Sequence, residues 1–258
     1  MRDSELLELA ARLARRAGEA IMGVRAAGFA VERKQDRSPV TEADRIAEAI
    51  IVEGLRAATP EIPVIAEEEV EAGIAPEAAA RCWLVDPLDG TREFAAGRPN
   101  FTVNIGLVEA GRARLGAVAV PVTGELFAGG VGLGAWKELG GERRAIAVRE
   151  PPEQGLTVMG SRHYADDPRL PRFLGGRRVA EIIAIGSAEK FCRLAEGTAD
   201  LYPRFGRTME WDTAAPQAVL EAAGGRVAGF DGAPLVYGKP RFENAGFVAT
   251  GRAPVGWP

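Results

Sequence analysis

The apolar run Cys82-Trp83-Leu84-Val85 passes directly into Asp86-Pro87-Leu88-Asp89-Gly90-Thr91. The run predicts a buried strand, and Pro87 and Gly90 predict a turn immediately behind it. Two carboxylates three residues apart on a rigid turn can converge on one small volume. They repel each other there unless a positive charge lies between them, and a divalent cation does this best. Thr91 adds a hydroxyl beside such a metal, placed to hold or deprotonate a water. For a D-x-x-D stretch in isolation, a turn that merely satisfies its own backbone is the plainer reading. The rest of the chain decides between them.

A chain of 258 residues fits one large domain or two tightly joined lobes. No apolar run approaches the ~20 residues of a membrane span, and the N-terminus is charged and helical rather than a signal peptide. Cys82 and Cys192 lie in unrelated apolar contexts, so no disulfide framework is expected. The expected location is a reduced cytoplasm, with peripheral attachment to the inner membrane left open. A formal charge of −4 and the lack of a Lys/Arg block argue against nucleic acid as a partner. His163 is the single histidine, which excludes a multi-His zinc site. A metal site here must be built from oxygen donors, a chemistry that selects Mg²⁺, Mn²⁺ or Ca²⁺.

Apolar periodicity predicts a helix from Ser4 to Ala27 stopped by Gly28, then a strand from Phe29 to Arg33. A second helix from an N-cap at Thr41 runs to Ala58, and Pro63 to Ala66 predicts a strand entering Glu67-Glu68-Glu69. Phe101 to Val108 and Ala113 to Val120 flank a hairpin at Glu109-Ala110-Gly111-Arg112. Further on, Leu156 to Met159, Val179 to Ile185, Ala199 to Tyr202 and Phe247 to Thr250 read as strands. Ser187 to Glu196 and Glu210 to Ala223 read as helices. The pattern suggests an α+β lobe over residues 1–150 and an α/β lobe over 151–258, divided at Pro151-Pro152.

Besides Asp86 and Asp89, acids stand at three structured places: Asp44 one turn into a helix, Glu67-Glu68 at a strand end, and Asp212 at a helix start. Each has a bland explanation. Asp44 can complement the helix dipole after Thr41, Asp212 can do so for its own helix, and the glutamates can form a solvated run. Together they describe an oxygen-only metal site.

Asp86-Pro87-Leu88-Asp89-Gly90-Thr91 with Glu93-Phe94, and Trp211-Asp212-Thr213-Ala214-Ala215, resemble the two signatures of the inositol monophosphatase superfamily. That superfamily comprises magnesium-dependent, lithium-sensitive phosphomonoesterases. Pro39 to Asp44 and Ile65 to Glu68 fall in the expected order between the first helix and the first signature. Within the superfamily, Phe101-Thr102-Val103-Asn104-Ile105, Gly186 to Cys192 and Leu201 to Gly206 resemble the 3'(2'),5'-bisphosphate nucleotidase branch. The resemblance implies a layered αβαβα sandwich of the sugar-phosphatase type, and hydrolysis of the 3'-phosphate of 3'-phosphoadenosine 5'-phosphate or its sulfated analogue. It implies roughly two or three Mg²⁺ ions per site, held by Glu67, Asp86, the Leu88 carbonyl, Asp89 and Asp212. Asp44, Thr91 and Glu68 are implied near the attacking water. Gly90, Thr91, His163, Ser187, Lys190, Arg204 and Asp212 are implied around the nucleotide. Ala66 stands where relatives often carry Ser, which leaves Glu67 and Glu68 as alternative leading ligands. An inositol- or sugar-phosphate substrate stays open, as does a non-catalytic metal- or nucleotide-binding regulator. Oligomeric state, a homodimer included, is also left open.

Overall fold

The stripe Leu6, Leu9, Leu13, Ala17 and Ile21 forms the buried face of α1 (Asp3–Ala27), which ends at Gly28 with φ 81°. The structure, a computed structural model, describes residues 1–33, 39–74, 79–162 and 167–252. After the short pair β1 (Val31–Arg33) and β2 (Pro39–Thr41), Thr41 caps α2 (Glu42–Ala58). The polar stretch Lys34 to Ser38 lies outside the described residues.

Next come β3 (Val64–Ala66), α3 (Glu67–Glu71), β4 (Arg81–Asp89) and α4 (Thr91–Ala95). They are followed by β5 (Thr102–Glu109), β6 (Arg112–Val120), β7 (Glu125–Gly130), β8 (Gly134–Leu139) and β9 (Glu142–Ala145). Strands β3 to β9 form a seven-stranded sheet in sequence order. Only β3 and β4 run parallel; the remaining pairs are antiparallel hairpin neighbours. Helices α1 and α2 cover one face and seal Trp83, Val85, Phe101, Val103 and Ile105 beneath them.

The rest of the chain supplies β10 (Leu156–Ser161), α5 (Arg169–Leu174), β11 (Val179–Ile185), α6 (Glu189–Ala195) and β12 (Leu201–Arg204). It ends with β13 (Thr208–Met209), α7 (Glu210–Ala222), β14 (Arg226–Gly229), β15 (Glu243–Asn244) and β16 (Phe247–Thr250). A five-stranded mixed sheet has the order β11-β10-β12-β16-β14. Helices α6 and α7 lie between the two sheets, where Phe127, Phe191, Val219 and Phe247 share one core. On the outer face of the second sheet, Leu170 and Leu174 of α5 pack on Leu156, Val158, Leu201 and Val248. The layers are helix, sheet, helix, sheet, helix: the αβαβα sandwich that the resemblance implied.

Close approach of α7 to the first sheet depends on Gly106 of β5. A Cβ there would stand 2.6 Å from the Ala215 amide nitrogen, so a side chain would push the helix, and Asp212 with it, off the sheet. Among the described residues no helix is long and apolar enough to cross a membrane.

Three local expectations need correction. Strand β4 does not stop at Val85 but continues through Pro87 to Asp89, with the turn deferred to Gly90 at φ 94°. Pairing with β3 ends at Ala66–Val85, so the missing N–H of Pro87 costs no ladder bond on that side. Glu67-Glu68-Glu69 is not a loose solvated run but opens α3. The helix expected from Ser187 begins at Glu189, because Ser187 sits in the left-handed region with φ 54°.

Candidate active site

The two carboxylates of the first signature are aimed by a β-bulge. Asp86 pairs with Asn104 and Asp89 with Thr102, so three steps on β4 face two on β5. An extra residue of this kind bends a strand and redirects its side chains. Here it sends Leu88 into the core, 1% exposed, while Asp86 and Asp89 stay on the face toward α7. Asp86 accepts a hydrogen bond from the Leu88 amide at 3.0 Å. Asp89 accepts one from the Ala188 amide at 2.5 Å, in the turn before α6. Asp212 closes its own helix start by accepting from the Met209 amide at 2.8 Å.

These acids are crowded and dry. Burial raises Asp86 well above the usual carboxylate range, and Glu67, Asp89 and Asp212 push it the same way. Burial also raises Asp89, against the pull of Lys190, the Ala188 amide and Arg204. Asp212 is pushed up to about 7 by burial and then by Asp89. Buried like charges at this density, offering only oxygen donors, suit a hard divalent cation, which would restore the ionised forms.

A pH dependence follows. In the native metal-free protein Asp212 keeps its proton to about pH 7, against an ordinary value of 3.8. Between those values the folded state binds a proton that the unfolded chain has released, so stability falls as pH rises through the window. Asp86, Asp89 and Glu48 act in the same direction. We expect the melting temperature of metal-free protein to drop between about pH 5 and about pH 7.5. Saturating Mg²⁺ should flatten that drop. A metal-free melting temperature that climbs over this interval would contradict the electrostatics.

Asp44 combines two attachments. One oxygen accepts from the Thr41 amide and hydroxyl, both at 2.7 Å, completing the capping box of α2. The other lies 3.1 Å from the Thr91 hydroxyl, which is also 3.1 Å from the Leu88 carbonyl. Thr91 has a single proton and can donate to only one of them at a time. Asp44 is 1% exposed. Its helix-capping role is therefore real, and it coexists with contact to the signature threonine.

Glu67 lines the central cavity; Glu68, next to it on α3, is not among the lining residues. Glu71, which the sequence did not single out, brings a carboxylate oxygen within 4.8 Å of oxygens of Glu67 and Glu68. Glu48 was also missed. Its carboxylate accepts the Glu68 and Glu69 amides at 2.8 and 3.0 Å and so fixes the start of α3. Burial, then the charges of Glu68 and Glu69, push Glu48 up to about 7 against those two N–H bonds. The signal was present in the helical period: an acid one turn beyond Asp44 on a buried face.

The cavity holds about 260 Å³, and the acids Glu67, Asp89, Glu93 and Asp212 are among the residues that line it. Gly90, Thr91, Ser187, Lys190 and Arg204 also line it, and the two cations lie near enough to Asp89 to oppose the rise in its proton affinity. Lys190 is 3% exposed. Its ammonium donates to the Ile185 carbonyl at 3.3 Å and the Ser187 carbonyl at 2.5 Å, and lies 5.0 Å from the centre of the Tyr202 ring. Among the described residues two of its three protons are so engaged, which leaves the third for a ligand. Burial lowers Lys190 to about 8, with Asp89 drawing it back up. Arg204 reaches the Arg207 carbonyl at 3.2 Å. His163 lies outside the described residues.

Fold and cavity define a class, a phosphatase scaffold whose members generally use metal ions. A model of the inositol monophosphatase family matches residues 2–253. The chain is 47% identical over 251 residues to the 3'(2'),5'-bisphosphate nucleotidase CysQ of Salmonella typhimurium, covering 95% of this chain and 99% of that protein. With the CysQ of Escherichia coli O157:H7 it shares 46% identity over 248 residues, 94% of this chain and 98% of the relative. The crystal structure of CysQ from Bacteroides thetaiotaomicron matches with a TM-score of 0.79 at 33% identity, covering 97% of this chain and 98% of that one. The chain belongs to the inositol monophosphatase family.

Proposed function

We propose that the protein is a magnesium-dependent 3'(2'),5'-bisphosphate nucleotidase that removes the 3'-phosphate of 3'-phosphoadenosine 5'-phosphate. The observation that carries this reading is a cavity lined both by the acids Glu67, Asp89 and Asp212 and by the cations Lys190 and Arg204. A substrate with two phosphates fits such a wall: one phosphate is attacked over the acids and the other rests on the cations. Likeness to CysQ proteins over nearly the full chain supports the same substrate class.

We assign Glu67, Asp86, the Leu88 carbonyl, Asp89 and Asp212 to roughly two or three Mg²⁺ ions. Such ions neutralise phosphoryl oxygens and acidify water when bound. The chain's own part is to orient and deprotonate. Thr91, donating to Asp44, presents its oxygen to the attacking water as an acceptor, and Asp44 takes up the proton relayed through that hydroxyl. The cavity position of Glu67 supports it as the leading ligand of the pair, with Glu68 in an outer place near the water. Gly90, Ser187 and the free proton of Lys190 face the substrate, and Arg204 offers a fork matched to a phosphate. We place the division between lobes at Pro151-Pro152, since β9 ends at Ala145 and β10 begins at Leu156.

Phosphate release from 3'-phosphoadenosine 5'-phosphate and from inositol 1-phosphate, each with and without Mg²⁺, tests the proposal. The nucleotide should be strongly preferred. Equal kcat/KM for both would move the protein to the inositol-phosphatase side of the family, and no release from either would leave a binding role. In Lys190→Met, loss of a charged hydrogen bond worth about 1.5–3 kcal/mol should raise KM for the bisphosphate about 10–100-fold. The KM for inositol 1-phosphate should change little. Equal loss with both substrates would remove Lys190 from the second phosphate.

A further inference from the structure

Strand β5 carries two polar side chains that the fold does not use. Asn104 and Thr102 are both 0% exposed. Among the described residues, neither Asn104 Nδ2, nor Asn104 Oδ1, nor Thr102 Oγ1 has a hydrogen-bond partner. Buried amides and hydroxyls in this condition cost stability, and an apolar side chain of similar shape would not. Neither is an accident of a loop, since both belong to β5 and are paired with β4, Thr102 at its first position and Asn104 two residues in.

Their positions are specific. Asn104 is directly opposite Asp86 in the ladder, and Thr102 directly opposite Asp89. Opposed residues of an antiparallel pair share a face, with Cβ atoms about 4.5–5.5 Å apart. Two residues beyond Asn104 on that face, Gly106 meets Ala215 of α7. The amide therefore lies on the face of the sheet against which α7, the helix that brings Asp212, is packed. Asp212 in turn lies near enough to Asp86 for its charge to act on it.

We infer that Asn104 is a positioning residue for the metal carboxylates and acts through Asp86. This rests on reading those carboxylates as a Mg²⁺ site. An amide suits the task because it offers two donors and an acceptor without charge. Its donors can orient an ionised Asp86 toward a cation, directly or through one water, without adding to an already crowded set of anions. Partners that orient ligands in this way typically contribute about 10–100-fold to metal affinity. Thr102 stands in the same relation to Asp89 and makes the strand a polar shelf under both acids.

The test is a calorimetric Mg²⁺ titration and metal-free melting of wild type, Asn104→Leu and Asn104→Ala, with no turnover involved. Asn104→Leu should bind Mg²⁺ about 10–100-fold more weakly while melting at or above the wild-type temperature without metal. Asn104→Ala should lose affinity similarly, and it decides the matter should the leucine not fold. Wild-type affinity in the folded variants would overturn the inference, whether or not they melt lower, because the amide would then serve packing alone. A wild type that binds no Mg²⁺ would instead overturn the metal reading itself.

Discussion

Asp89→Asn is expected to lose Mg²⁺-dependent phosphate release by more than about 10³-fold, since removing even one neutral donor to a developing charge typically costs about 10²–10³-fold. An amide is a poor ligand for a hard cation, and the change deletes a charge from a group that borders both the cavity and the Lys190 ammonium. Folding should survive. The side-chain oxygen that accepts the Ala188 amide is retained in Asn, and removing one anion relieves Asp86 and Asp212, both of which Asp89 raises. The metal-free variant should thus melt at or above the wild type, and the gain in melting temperature on adding Mg²⁺ should shrink. Near-wild-type turnover in this variant, or full wild-type turnover in excess chelator, would remove the metal from the mechanism.

Asp44→Asn and Thr91→Ala should each lower kcat by about 10²–10⁴-fold, the usual scale of general-base assistance, with KM close to wild type. The Asp44 variant separates two roles that the structure joins in one side chain. Asn keeps one oxygen to accept the Thr41 amide, so the cap of α2 persists and stability should fall by no more than about 1 kcal/mol. The other oxygen becomes an NH₂ group facing Thr91, which can no longer hand a proton to it. Melting temperature and kcat measured on the same protein decide the matter. A drop in stability with unchanged kcat would leave Asp44 as a cap and nothing more.

Much of the site was legible because its residues occupy positions that local rules mark. Thr41 with Asp44 three residues later is a capping box, and the periodicity behind it predicts α2 to within a residue of its end. Met209 and Asp212 close α7 in the same manner. The β4 bulge was not legible. A Pro and a Gly within four residues read as a turn, and only the end of β3 at Ala66 makes room for Pro87 inside a strand. The helix start at Glu67 to Glu69 was not legible either, since nothing nearby announces that Glu48, some twenty residues earlier, holds the Glu68 and Glu69 amides.

What the sequence determined by itself was chemistry and order. A single histidine and scattered cysteines restrict any metal to oxygen donors, and the signatures place those donors at element ends. Tertiary structure alone decided which groups meet and in what state. Asp86, Asp89 and Asp212 come from two different sheet-and-helix junctions, and their raised proton affinities arise from shared burial that no segment possesses alone. Lys190 reads as a surface cation in a helix, yet it is buried with two carbonyls on its ammonium. Asn104 reads as an ordinary strand residue and becomes conspicuous only when Asp86 and α7 close over it. Local propensity depends on near neighbours along the chain, whereas desolvation and like-charge repulsion depend on distance in space, and only packing sets that distance.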